Sequence, residues 1–199
     1  NSSINMTQCQ FITEASLPTE FGEFRLHAFE ETNGKEHLAI VFGNVNNQEN
    51  VLCRLHSECL TGDALFSARC DCGPQLKAAF KNIAKNGSGI LLYLRQEGRG
   101  IGLVNKIRAY ALQDLGKDTV EANEALGFDA DLRSYDICFD MLSHFGITSV
   151  DLLTNNPKKV EALENAGVSV NKRMPLHEGV NETNQSYIDT KKSKLGHLD

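Results

Sequence analysis

The sequence predicts a mixed α/β fold in a single compact domain: a mainly β N-terminal part, then alternating strands and helices. Two observations point there. The stretch up to Leu60 carries short runs rich in Phe, Val, Ile and Leu between turn clusters. From Gly73 onward, apolar residues at helical spacing alternate with short strand-like runs.

Strands are expected over 11–17, 23–29, 38–45 and 51–56, with turns at 32–34 and 44–47. Leu76, Ala79, Phe80 and Ile83 recur at helical spacing; Pro74 suits a first turn and Gly87 a stop. Residues 89–94 form a continuous apolar run, the pattern of a buried strand. A helix over 103–115 is ended by Gly116, and Asp118 with Glu121 is spaced as a capping pair for a helix through Leu126. A helix over 137–145 and a strand over 150–153 follow. Asn156-Pro157 opens a last helix carrying Val160, Leu163 and Ala166, which Gly167 stops before a strand over 168–170. The tail from His177 is polar, and its end is expected to be mobile. Residues 1–13 are expected as an N-terminal extension, in part an expression remnant, with the domain over 14–197.

The 199 residues, 41% of them hydrophobic, suffice for one substantial core. No apolar run spans a bilayer, because Arg95 directly follows Leu94, and no secretory pattern opens the chain. A cytoplasmic protein with no membrane partner is the expectation. A net charge of −6 argues against a general nucleic-acid binder, which carries a basic face. Six cysteines in a chain of this size do not make a disulfide scaffold. Cys9, Cys53 and Cys138 share no ligand-like spacing and read as packing residues.

Cys59, Cys70 and Cys72 are different. Three thiols are what a catalytic zinc needs, since a structural site closes its tetrahedron with four protein ligands. Cys70 and Cys72 flank one residue and reach a common metal only from a bend, which Gly73-Pro74 favours. The rival reading is three unrelated buried thiols. Arg54, His56, Glu58, Asp63, Arg69 and Asp71 crowd the same stretch, company that a packing cysteine does not need. Zinc with three thiolates carries a net charge of −1 and acidifies water less than zinc on neutral imidazoles, so a carboxylate base is required nearby. His56 and Glu58, as alternative ligands, more simply contact substrate or support the site.

Arg95-Gln-Glu-Gly-Arg-Gly-Ile-Gly102 joins a predicted strand to a predicted helix. Gly98, Gly100 and Gly102 free the backbone, and a helix start offers N–H groups to an anion. Arg95, Arg99, Lys106 and Arg108 against Glu97 give a local charge of +3. Polyphosphate binding is the favoured reading over a solvated basic loop. Thr154-Asn-Asn-Pro-Lys-Lys159, taken alone, reads as a plain N-cap with a solvated lysine pair.

These motifs together resemble GTP cyclohydrolase II. The resemblance rests on Arg54-Leu-His-Ser-Glu-Cys-Leu-Thr-Gly-Asp63, Cys70-Asp-Cys-Gly73, Arg95 to Leu103, Asn105 to Gln113, Asp118 to Asn123, Leu126-Gly-Phe128 and Leu153 to Lys159, in matching order. It implies zinc-dependent hydrolysis of GTP to 2,5-diamino-6-ribosylamino-4(3H)-pyrimidinone 5′-phosphate, formate and pyrophosphate, the first step of riboflavin synthesis. It implies one Zn²⁺ per chain on Cys59, Cys70 and Cys72 with water in the fourth place, Mg²⁺ with the triphosphate, and a homodimer. Arg54, Leu55, His56, Ser57, Glu58, Gln75, Glu97, Gly98, Arg99, Thr119, Thr154 and Lys159 match positions that contact GTP. Asp131 matches the proton acceptor, although by itself it reads as a surface acid. Arg133 matches a proposed nucleophile toward phosphorus. A guanidinium has no free lone pair, so stabilising charge on the phosphoryl group suits it better. Tyr110 matches a tyrosine needed for formate release; relatives lacking it stop at a formylated pyrimidine. Its spacing from Leu103 and Ile107 also allows a core-packing role. A non-catalytic, zinc-stabilised nucleotide-binding module is the rival of another class.

Overall fold

The computed structural model describes residues 7–126 and 134–177, save the side chains of Thr119 and Asn123. The polar tail beyond His177 and the start of the chain lie outside the described residues.

An antiparallel ribbon opens the fold: β1 (Cys9–Thr19), β2 (Gly22–Glu31) and β3 (Glu36–Phe42). The pairing runs from Cys9 opposite Glu31 to Thr19 opposite Gly22, so β1 begins inside the stretch expected as an extension. It also outruns the predicted strand at both ends. Thr13, Glu14 and Ser16 face solvent, and an antiparallel ribbon tolerates one wet face because the ladder satisfies the backbone. β3 stops at Phe42, three residues short of the predicted end. Gly43 turns the chain with φ of 68°, where a side chain would meet the Gly87 carbonyl at 2.4 Å.

Strands and helices then alternate, as predicted. They are β4 (Val51–Ser57), the short turn α1 (Leu60–Asp63), α2 (Cys72–Asn86), β5 (Gly89–Leu94), α3 (Leu103–Asp114), α4 (Thr119–Ala125), α5 (Ile137–His144), β6 (Ser149–Leu153), α6 (Pro157–Asn165) and β7 (Ser169–Met174). Local signals set many of the boundaries. Gly87 caps α2 in the left-handed region, Asp118 and Glu121 form the reciprocal capping box of α4, and Asn156 accepts from the Lys158 N–H ahead of Pro157.

The seven described strands form one sheet in the order β1-β2-β3-β5-β4-β6-β7. β4 lies parallel to both β5 and β6, and β6 is parallel to β7. Parallel neighbours require crossover helices, and these cover both faces. On one face, Ala78, Ala79 and Ile83 of α2 pack against Leu52, Leu91 and Phe24. On the other, Ile137, Cys138, Met141 and Leu142 of α5 and Leu163 of α6 pack against Cys53, Leu55, Ile90 and Leu92. Cys9, Cys53 and Cys138 sit in this second core as the packing residues expected of them. Burial pushes the Cys9 and Cys53 thiols up to about 12 and raises Cys138 as well. None of the described helices is long and apolar enough to cross a membrane.

Because β4, β5 and β6 run the same way, their C-terminal ends share one edge. The loops after them carry Glu58 and Cys59, Arg95 to Gly102, and Thr154 to Asn156. An open parallel sheet binds ligands at such an edge.

Candidate metal centre

Cys59 follows β4 with extended backbone and stands as the N-cap of α1. Cys70 lies in the bend before α2, and Cys72 is the first residue of that helix. A bend followed at once by a helix start turns two thiols separated by one residue toward the same point. The three Sγ atoms lie within 4.8 Å of one another, with Cys59 and Cys70 at 3.7 Å. Sulfurs around a tetrahedral zinc at about 2.3 Å stand roughly 3.8 Å apart, so the donor set fits that ion in chemistry and spacing. No described His, Asp or Glu joins the three thiols as a fourth donor. A cavity lined by Gly62, Asp63, Phe66, Gly73 and Lys77 opens next to the α1 turn and the start of α2, and none of the three cysteines lines it.

Two glycines make the approach possible. A Cβ on Gly62 would lie 2.7 Å from Cys70 Sγ and 2.9 Å from Cys72 Cβ. A Cβ on Gly73 would lie 2.5 Å from the Gly62 carbonyl oxygen. The turn of α1 and the start of α2 therefore touch backbone to backbone.

Polar side chains hold this turn. Asp63 Oδ2 accepts from the Cys59 N–H at 3.0 Å and from the Tyr93 hydroxyl at 2.6 Å, while Oδ1 meets His56 Nε2 at 2.9 Å. His56 stacks on Tyr93, with centroids 5.5 Å apart. Burial lowers the His56 pKa and, with the Asp63 bond, raises that of Tyr93. Asp63 thus ties a strand side chain to the first thiol. Asp63→Ala is expected to cost about 1–3 kcal/mol for each buried partner left unpaired, and Tyr93→Phe about 1 kcal/mol. Urea unfolding midpoints of the two variants check that order.

The described residues among the predicted nucleotide contacts sit on β4, on the loops after β4, β5 and β6, or on α2, α4 and α6. Arg54 is buried on β4; it donates to the Leu153 carbonyl at 3.1 Å and to Gln75 Oε1 at 3.3 Å. Gln75 donates on to buried Asp71 at 2.6 Å, between the two α2-side thiols. Lys159 reaches the Leu55 carbonyl at 3.3 Å, and Thr154 is buried directly after β6. The N-cap expected at Asn156 is present, but the lysine pair is not solvated as a pair, because Lys159 turns inward. Ser57 Oγ and Glu97 Oε2 are buried with no hydrogen-bond partner among the described residues. Glu58 pairs with Arg95 at 3.4 Å. Asp131, Arg133 and the Thr119 side chain lie outside the described residues.

The glycine-rich loop differs from the expected basic cluster. Gly98, Gly100, Gly102 and also Arg99 take left-handed φ. Of the four cations, Arg95 faces Glu58 and Glu36, and Arg108 bonds Asn105. Lys106 turns away altogether, its Nζ 2.9 Å from Cys59 Sγ and 3.5 Å from Glu97 Oε1. Glu97 also accepts from the Leu60 N–H at 3.1 Å, and burial raises its pKa against the pull of Lys106. The Cys59 thiol is held far below its usual value, by hydrogen bonds from Cys70 and Cys72 first and from Lys106 after them.

Tyr110 bonds Thr61 Oγ1 at 3.0 Å, and that oxygen lies 3.7 Å from Cys59 Sγ. The Arg69 guanidinium covers the Tyr110 ring at 4.3 Å. Leu103 and Ile107, whose spacing suggested a core role for Tyr110, are exposed instead. Motif reading missed Tyr93 and Gly62 as site residues, took Asp63 only as polar company for the cysteines, and took Lys106 as a phosphate-loop cation. The available signal was the stripe Lys106, Ala109, Tyr110 and Gln113, whose helical spacing puts a lysine on the inward face of α3.

Comparison with known proteins places these features in a family. The GTP cyclohydrolase II family model matches residues 10–175. A protein named GTP cyclohydrolase-2 from Azotobacter vinelandii is 63% identical over 189 residues, covering 94% of this chain and 91% of its own. A riboflavin biosynthesis protein from Vibrio vulnificus is 61% identical over 190 residues, covering 95% of this chain and 52% of its own. Among solved structures, a two-domain 3,4-dihydroxy-2-butanone 4-phosphate synthase from A. baumannii is 19% identical with a TM-score of 0.47. That likeness covers 85% of this chain and 41% of the other.

Proposed function

This chain belongs to the GTP cyclohydrolase II family, and we propose that it carries out that family's reaction in full. GTP is hydrolysed to 2,5-diamino-6-ribosylamino-4(3H)-pyrimidinone 5′-phosphate, formate and pyrophosphate, at the head of riboflavin biosynthesis. The single observation that carries this reading is the triad Cys59, Cys70 and Cys72, gathered within 4.8 Å of one another with no fourth described donor. Those three sulfurs hold one Zn²⁺, which when bound supplies Lewis-acid polarisation and eases deprotonation of water. Mg²⁺ enters with the triphosphate.

The chain's own residues do the rest. Arg54 to Glu58, Gln75, Glu97 to Arg99, Thr119, Thr154 and Lys159 bind the nucleotide. Buried Glu97 Oε2 offers an acceptor suited to an N–H of a purine. Asp131 takes the proton, Arg133 stabilises charge on the phosphoryl group, and Tyr110, positioned by Thr61 and Arg69, serves formate release. The cytoplasmic setting and the homodimer that the resemblance implies belong to the same proposal.

The test is incubation with GTP and Mg²⁺, with formate and pyrophosphate assayed in parallel. Equal release of both is expected. Pyrophosphate without formate means a reaction that stops at the formylated pyrimidine. Neither product means a nucleotide-binding module without catalysis.

A further inference from the structure

Lys106 stands 8% exposed on α3, its ammonium 2.9 Å from Cys59 Sγ. Lysine is almost never buried unless paired, because an ammonium loses its hydration there. Its carboxylate neighbour, Glu97 Oε1, is more distant at 3.5 Å, and the Tyr110 ring centroid lies at 5.7 Å. The nearest anion is therefore the sulfur.

We propose that Lys106 is a positioning residue of the metal centre, whose ammonium hydrogen-bonds the Cys59 sulfur and takes one negative charge off the three-thiolate site. The inference rests on the zinc assignment above. Three thiolates outweigh a divalent ion by one charge, and a thiolate-rich metal is a weak Lewis acid. A charged donor on one sulfur withdraws density from it and leaves the ion more electrophilic. The sulfur chosen is the one between the elements. Cys59 follows β4, whereas Cys70 and Cys72 belong to the start of α2, and α3 brings the lysine against Cys59. Tyr110 and Lys106 are four residues apart on one helical face, so the same helix delivers both groups.

Cobalt substitution tests this without GTP. The full chain loaded with Co²⁺ shows a thiolate-to-cobalt charge-transfer band. Lys106→Met removes charge and donor, so the Cys59 lone pairs rise in energy and the band moves to longer wavelength. Lys106→Arg keeps both and leaves the band near the wild-type position. In the zinc enzyme, Lys106→Met lowers kcat by about tenfold or more, the scale of an outer-shell change, with KM for GTP nearly unchanged. An unmoved band at full cobalt occupancy overturns the proposal. So does a raised KM with unchanged kcat, which would make Lys106 a phosphate ligand. If Lys106→Met does not fold, Lys106→Gln is read instead; a smaller shift in the same direction supports the proposal and no shift overturns it. Wild-type protein with no thiolate band, or without turnover of GTP, counts against the zinc or activity reading. The variant-to-wild-type shift speaks to Lys106 alone.

Discussion

Cys59→Ser is expected to yield a folded protein that holds no zinc and makes no measurable formate. The serine hydroxyl stays protonated at neutral pH and offers a poor third ligand, which leaves two thiolates for an ion that needs three from the protein. The loss should exceed the roughly 10–100-fold cost of an outer-shell substitution, because a direct ligand is gone. Folding should survive. Among the described residues neither hydrophobic cluster contains Cys59, Cys70 or Cys72; both are built mainly from sheet residues and from α2, α5 and α6, with a few loop residues such as Val45 and Ile147. Zinc removal by a chelator should accordingly leave circular dichroism intact, whereas a structural zinc leaves an unfolded chain behind. Zinc content, formate and pyrophosphate measured on one preparation decide the matter. A zinc-free Cys59→Ser protein that still releases formate would show that the metal has no part in that step.

Gly62→Ala is expected to damage the same centre without touching a ligand. Gly62 has an ordinary backbone conformation, and alanine is the better helix former by about 1 kcal/mol. Local propensity therefore favours the change. The surroundings oppose it: the new methyl carbon would lie 2.7 Å from Cys70 Sγ, 2.9 Å from Cys72 Cβ and 3.2 Å from Cys59 Sγ. All three thiol-bearing residues would have to shift, and the Gly73 contact with the Gly62 carbonyl leaves α2 little room to retreat. A displacement of about 1 Å in a catalytic arrangement costs on the order of a hundredfold in rate. The expected outcome is a folded protein with reduced zinc content and formate production down by about that factor. Full zinc occupancy with wild-type turnover would mean that the glycine contact does not set the geometry.

The contrast between these two variants tracks what motif reading captures. Cys59 is named by residue type and spacing. Gly62 matters only because α1 and α2 meet, and nothing within a few residues of it says so. Lys106 shows the same division. In the chain it belongs to a glycine-rich, arginine-rich segment and reads as one cation of a phosphate loop. In the fold it faces a thiol 47 positions earlier, while Arg95 and Arg108 are occupied by Glu58 and Asn105. The same holds for Asp63, whose bonds to His56 and the Cys59 N–H depend on a turn folding back over β4.

What the amino-acid order determined alone is what short-range physics controls. Pro74 in the first turn of α2 and its stop at Gly87, the capping box at Asp118 and Glu121, the Asn156 cap and the buried run of β5 all depend on neighbours within four or five residues. What only the tertiary structure decided is which distant groups meet. β5 enters between β3 and β4, and that order lays the ends of β4, β5 and β6 side by side. Crossover packing of helices on both faces selects that order, through burial summed over the whole sheet. No window of sequence contains that sum, so Lys106 and Asp63 become partners of Cys59 only once the chain has closed on itself.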